Sequence, residues 1–210
     1  MTHNQRFTLS RRTPMALESL QELYLEQLKD LHSAERQIIE ALPKMIEQTT
    51  HPELRRGFEM HLEQTKEQLR RLDQIGQRAG QKLTGHKCKG MEGLIEEGDE
   101  LMEKRADSDV LDAALIAAAQ RVEHYEMAGY GCARTYARLL GLDDDAKLLQ
   151  QTLDEEGETD HKLTELAERT INIEALTGDR EVSRSASSKA DRSSTSSSRT
   201  SRRDSDLEAR

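Results

Sequence analysis

Glu123 and Glu126 lie in the Ala-rich stretch from Ala113 to Gly131. A helix turning about 100° per residue carries both on the same face as Leu115, Ala119, Val122, Tyr130 and Ala133. Acids on an apolar stripe need a counter-ion, because an unpaired buried charge costs several kcal/mol. Other stripes repeat the anomaly. Glu35 shares a face with Leu17, Tyr24, Leu28, Leu31, Ile39, Leu42 and Ile46, and Glu156 and Asp160 share one with Leu149, Leu153, Leu163 and Ala167. His61 is interleaved among Leu54, Phe58, Leu62, Leu69, Leu72 and Ile75, whereas His124 and His161 point outward on their helical wheels.

A lone inward histidine or glutamate is ordinarily satisfied by a hydrogen bond or an arginine. Here Arg36, Arg71 and Arg134 fall on stripe flanks, and five unpaired carboxylates would outweigh a domain's usual net stability. Counted from the connecting loops, Glu35 is level with His61 and Glu126 with Glu156 to within roughly 6 Å. Glu123 and Asp160 stand about one turn beyond. The expected chemistry is metal binding by Glu35, His61, Glu123, Glu126, Glu156 and Asp160. Oxygen-rich ligands with one imidazole suit iron or manganese, and two ions would balance much of the charge. Gln64, Thr65 and Gln68 are lesser candidates for orienting such ligands, ordinary flank polarity being the preferred reading.

The elements that must carry these residues are four long helices. The periodicity predicts helices over 15–48, 52–76, 108–140 and 144–173, with Pro43 interrupting the first late. His51-Pro52 opens the second, and Gly141 with Asp143 to Asp145 separates the last two. Residues 77–106 form a longer connection punctuated by glycines, with a short amphipathic helix over 91–104. Short, long and short connections are those of an all-α four-helix bundle with one crossover. Residues 1–14 are expected to be a polar arm and 15–175 the bundle. The Ser/Arg-rich segment 179–210 is expected to be a disordered tail, with nucleic-acid contact a lesser alternative.

Composition agrees with a metal-handling helical protein. The chain has 210 residues, 34% apolar and 34% charged, with three prolines and no tryptophan. A net charge of −9 argues against a general nucleic-acid surface. No apolar run approaches the roughly 20 residues of a membrane span, and no secretory segment opens the chain, so a cytoplasmic location is expected. Cys88 and Cys132 have no CxxC partner, and neither a disulfide framework nor a zinc site is indicated.

Five stretches in order, LEQLKDLHSAERQIIEALPKM, FEMHLEQTKEQLRRLDQI, KCKGMEGLIEEGDELME, DAALIAAAQRVEHYEMAGYG and LLQQTLDEEGETDHKLTELA, resemble the YciF/YciE family of bacterial ferritin-like stress-response proteins. The resemblance spans about residues 16–172 and implies a ferritin-like bundle, a dinuclear metal centre, a homodimer and a link to stress. It implies no established reaction. The family's inward acids correspond to Glu35, Glu123, Glu126, Glu156 and Asp160, with His61 as the imidazole. Typical di-iron bundles use Glu-x-x-His twice. This chain has neither copy on an inward face, its one such spacing, Glu158 to His161, ending on an outward histidine, so oxygen-activating chemistry does not follow from the fold.

Overall fold

The computed structural model describes residues 17–178. The expected polar arm, 1–14, and the Ser/Arg-rich segment, 179–210, lie outside the described residues. Within them the chain forms α1 (Leu20–Gln48), α2 (Pro52–Arg78), α3 (Lys89–Glu103), α4 (Ser108–Leu139) and α5 (Asp143–Leu166), with a π-helical turn at Ala167–Ile171. The chain is helical again over 172–178.

Each boundary has a local cause. Ser19 caps α1 in a reciprocal box with Glu22, so the helix begins later than periodicity alone predicts, and Leu17 is exposed instead of joining the stripe. Pro43 is accommodated inside α1, which continues to Gln48. Pro52 occupies the first position of α2. Gly141, at φ 72°, ends α4 while the Leu142 amide bonds back to the Ala137 carbonyl.

α1 packs on α2 and α4, and α5 packs on α4 and α2, so the four long helices form a ring in the order α1, α2, α5, α4. The first turn of α4 meets the end of α1: the buried Asp112 carboxylate accepts from the Thr50 amide (3.0 Å), the Thr50 hydroxyl (2.6 Å) and the His51 amide (2.8 Å). At the opposite end, Tyr24 of α1 donates to Asp145 of α5 (3.2 Å), which also pairs with Arg78 of α2 (2.9 Å). These contacts fix α1 and α4 as antiparallel and α2 and α4 as parallel, the arrangement produced by one long crossover. Within that crossover, α3 lies along α1 and α4.

Two apolar clusters fill the interior. One surrounds Ile38, Leu42, Phe58, Leu115 and Leu163, and the other Leu28, Leu31, Leu72, Tyr130 and Leu149. Glu35 of α1, Glu123 and Glu126 of α4 and Glu156 of α5, all buried, occupy the level between them.

Candidate metal centre

Each long helix delivers at least one polar side chain to that level. α1 supplies Glu35, α2 His61, α4 Glu123 and Glu126, and α5 Glu156; all five are buried, and Glu35, Glu126 and Glu156 are 0% exposed. Gly129 helps set the geometry, since a Cβ there would lie 2.8 Å from Leu31 Cδ2. Its absence lets α4 approach α1 beside Glu126.

His61, Glu123, Glu126 and Glu156 each place one ligand atom within 4.8 Å of the others. Nε2 of His61 lies 3.3 Å from Oε1 of Glu123, although neither ring nitrogen makes a hydrogen bond. Glu35 stands beside this group, its Oε1 accepting from the Tyr130 hydroxyl. No hydrogen-bond partner meets Glu35 Oε2, Glu123 Oε2 or either oxygen of Glu126 and Glu156.

Asp160 is placed differently from the inward position expected of it. Its side chain is 22% exposed, accepts from Gln120 Nε2 at 3.1 Å and lies 3.3 Å from His124 Nε2. It sits at the rim, where its charge still acts on Glu123. His124 and His161 are largely exposed, as their wheel positions require.

Arg71 departs from its flank position and is buried. Its guanidinium is taken up by Glu155 (2.7 and 2.8 Å) and by the Thr152 hydroxyl (3.0 Å). It therefore supplies a nearby positive field without pairing with the inward acids. Gln68 donates to Glu155 at 3.2 Å and leaves its own Oε1 unpartnered. Thr65 bonds back to the His61 carbonyl at 2.8 Å, as helical threonines commonly do.

The charged state of such a cluster is strained. Burial raises the Glu35, Glu123 and Glu126 carboxyls well above the usual range, and neighbouring acids add to it: Glu156 acts on Glu35 and Glu123, and Glu35 on Glu126. Burial pushes Glu156 up to about 7, with Arg71 among the groups that moderate the rise. Burial lowers His61 to about 4, so its imidazole is neutral at pH 7, the form that ligates a metal. The residues fit a metal. Four carboxylates carry four negative charges when ionised, two divalent cations would neutralise them, and the orphaned oxygens and imidazole are hard and borderline donors.

Two features escape helical periodicity. Tyr130 reads as a stripe aromatic, and its hydroxyl contact with Glu35 emerges only when α1 and α4 are juxtaposed. Cys88, Tyr125 and Asp30 likewise come from three elements: the Tyr125 hydroxyl donates to Asp30 at 2.6 Å and lies 2.9 Å from Cys88 Sγ. Gly90 makes room for the Tyr125 ring, which a Cβ would approach to 2.6 Å.

Fold and site together define a ferritin-like helical-bundle protein with a buried carboxylate–imidazole cluster. Residues 19–176 match the family described as a domain of unknown function, DUF892, and the chain belongs to that family. It is 44% identical to protein YciF of Escherichia coli (strain K12) over 162 residues, covering 77% of this chain and 98% of YciF. The crystal structure of that E. coli stress protein superposes with a TM-score of 0.71, covering 77% of this chain and 99% of YciF at 43% identity. YcfI of Rhodopseudomonas palustris, described as a candidate structural protein, gives a TM-score of 0.70 at 45% identity over 72% of this chain and 97% of its own. A Xanthomonas campestris protein at 21% identity shares the fold, with a TM-score of 0.65 over 77% of this chain and 99% of its own.

Proposed function

We propose that this protein is a bacterial stress-response metal protein that holds two divalent ions, iron or manganese, among Glu35, His61, Glu123, Glu126 and Glu156. The orphaned carboxylate oxygens and imidazole nitrogens carry this reading, since without a cation they would be a large unrecovered cost in the core. Asp160, at the rim, is an outer carboxylate that attracts cations toward Glu123. The homodimer that the family resemblance implies and the cytoplasmic location expected from the sequence belong to the same proposal.

When bound, a pair of redox-active ions supplies one-electron steps that reduce dioxygen or peroxide. The chain's own residues bind and orient. Tyr130 holds one oxygen of Glu35 and leaves the other for a metal, His61 offers a neutral nitrogen, and the surrounding apolar side chains exclude water. With one imidazole among four buried carboxylates, anionic ligands favour the oxidised ion, and slow iron oxidation is the expected activity.

A second reading, in which the ions only brace the bundle and a surface binds a partner, is favoured by the complete burial of Glu35, Glu126 and Glu156 and by the description of the R. palustris relative. Turnover separates the two. Elemental analysis of protein purified without chelator should find about two ions per chain, a count set by charge balance. Ferric absorbance should then grow faster than in Glu126→Ala when Fe(II) is added under air or with peroxide. Metal in the wild type without faster oxidation leaves the bracing role, and no metal removes both readings.

A further inference from the structure

α2 and α5 pack more loosely than α4 and α5, and a groove of about 370 Å³ opens between them. Leu54, Phe58, Leu163 and Leu166 form its apolar wall, with the exposed Met60 at its lip. His61 also lines it, but both ring nitrogens are buried, so the ring presents carbon alone. The charges of the groove run against those of the chain. Arg56, Lys162 and Arg169 line it against Glu53 and Glu165, in a protein of net charge −9. The two clefts at the other end of α5 are anionic, with four acids beside Arg138 and Lys147 and three beside Arg78. In the groove, Glu53 takes Arg169 (2.7 Å), Glu158 takes Lys162 (2.6 Å) and Glu165 lies 3.4 Å from His161 Nε2. Arg56 is left without an ion pair among the described residues.

We propose that this groove binds a medium-chain fatty-acid anion, its chain lying on Leu54, Phe58, Leu163 and Leu166 and its carboxylate pairing with the Arg56 guanidinium. The volume lies toward the lower end of small-molecule sites. From Arg56 to Gln64 the groove follows about 12 Å of α2, and the seven C–C bonds of an eight-carbon chain, about 1.5 Å each, fit within that length. A guanidinium donates to both oxygens of a carboxylate, and one unpaired cation balances one negative charge. A phosphate monoester would bring a second negative charge toward the buried acids. Arg56 stands about 8 Å along α2 from His61, which holds the carboxylate end away from those acids. The inference needs no bound metal.

Calorimetric titration of the full chain with octanoate, octan-1-ol, octylammonium and acetate at fixed ionic strength tests it. Octanoate should bind saturably, octan-1-ol about fivefold weaker for want of the exposed ion pair, octylammonium weaker still, and acetate not at all. Arg56→Gln should bring octanoate down to the level of octan-1-ol and leave octan-1-ol unchanged, a split that a merely structural arginine would not produce. Gly57 lines the groove, and a Cβ there meets nothing within 4 Å, so leucine fills the space without a clash at its root. Gly57→Leu should lose both ligands while keeping wild-type helicity and metal content. Octanoate no tighter than octan-1-ol, an affinity that Arg56→Gln leaves unchanged, or no saturable binding would overturn the proposal. So would a dimer that Gly57→Leu dissociates and octanoate does not, which would assign the groove to a second copy of the chain.

Discussion

The Tyr130 hydroxyl donates to Oε1 of Glu35 across the α1–α4 contact, and the other oxygen of that carboxylate has no partner. A phenol that fixes one oxygen sets where the second one points. This hydrogen bond also restrains the rise in the Glu35 pKa that burial and Glu156 cause.

Tyr130→Phe should keep the fold, since the ring is retained, but release Glu35 and let its carboxyl rise further. Removing a group that orients a ligand typically costs 10- to 100-fold in metal affinity, and about tenfold is expected here. Competition against a chelator of known affinity measures it. Unaltered affinity would mean that Glu35 stands outside the centre.

Glu126→Gln should stabilise the metal-free protein while abolishing most metal binding. Burial forces the folded Glu126 carboxyl to take up a proton that the unfolded chain has released near pH 7, and the neutral amide escapes that cost, an effect of about 1–3 kcal/mol. Denaturant unfolding with chelator and elemental analysis without it are the two measurements. A metal-free variant less stable than wild type contradicts the expectation.

Metal-free protein should lose stability as pH rises. The raised carboxyls keep their protons in the folded state after the unfolded chain has released them, so the folded state binds more protons and stability falls with pH. For Glu156, pushed up from 4.5 to about 7, the loss falls between those values. His61 acts oppositely. Lowered from 6.5 to about 4, it binds less proton when folded than unfolded, and its contribution rises with pH across that window. Four raised acids outweigh one imidazole, so the thermal midpoint with chelator should fall from about pH 5 to about pH 8. Metal needs deprotonated ligands, and saturating Mn(II) should reverse the slope. The same slope in both conditions would refute the assignment.

Asp112→Ala should leave metal content at the wild-type level but lower stability by about 2–4 kcal/mol, because the Thr50 amide, the Thr50 hydroxyl and the His51 amide lose their shared acceptor. Chemical denaturation checks it. A loss below about 1 kcal/mol would show that water replaces the carboxylate.

Much of the architecture is legible because the long helices repeat their apolar residues regularly. Glu35, Glu123, Glu126, Glu156 and His61 fall on inward faces of the wheel and are buried in the structure. Asp160 shows the limit of that method. Its angle is close to that of Glu156, but one turn along α5 it meets Gln120 and His124 at the rim. Arg71 shows another, since a wheel assigns a direction to the Cα and a long side chain reaches past it to Glu155. The contacts of Tyr130, Tyr125 and Cys88 depend on which helices become neighbours across the crossover. The π-turn at Ala167–Ile171 has no periodic signature.

The ring order of the helices also divides the centre between two halves of the gene product. The hairpin of α1 and α2 carries one carboxylate and the imidazole, the hairpin of α4 and α5 carries three carboxylates, and the crossover joins them. Cut in the crossover at 79–88, the chain would yield two fragments, neither holding the full ligand set. Ions bound as proposed would bridge the fragments and add to the apolar contacts that join them, making the protein a template for a metal-responsive split reporter.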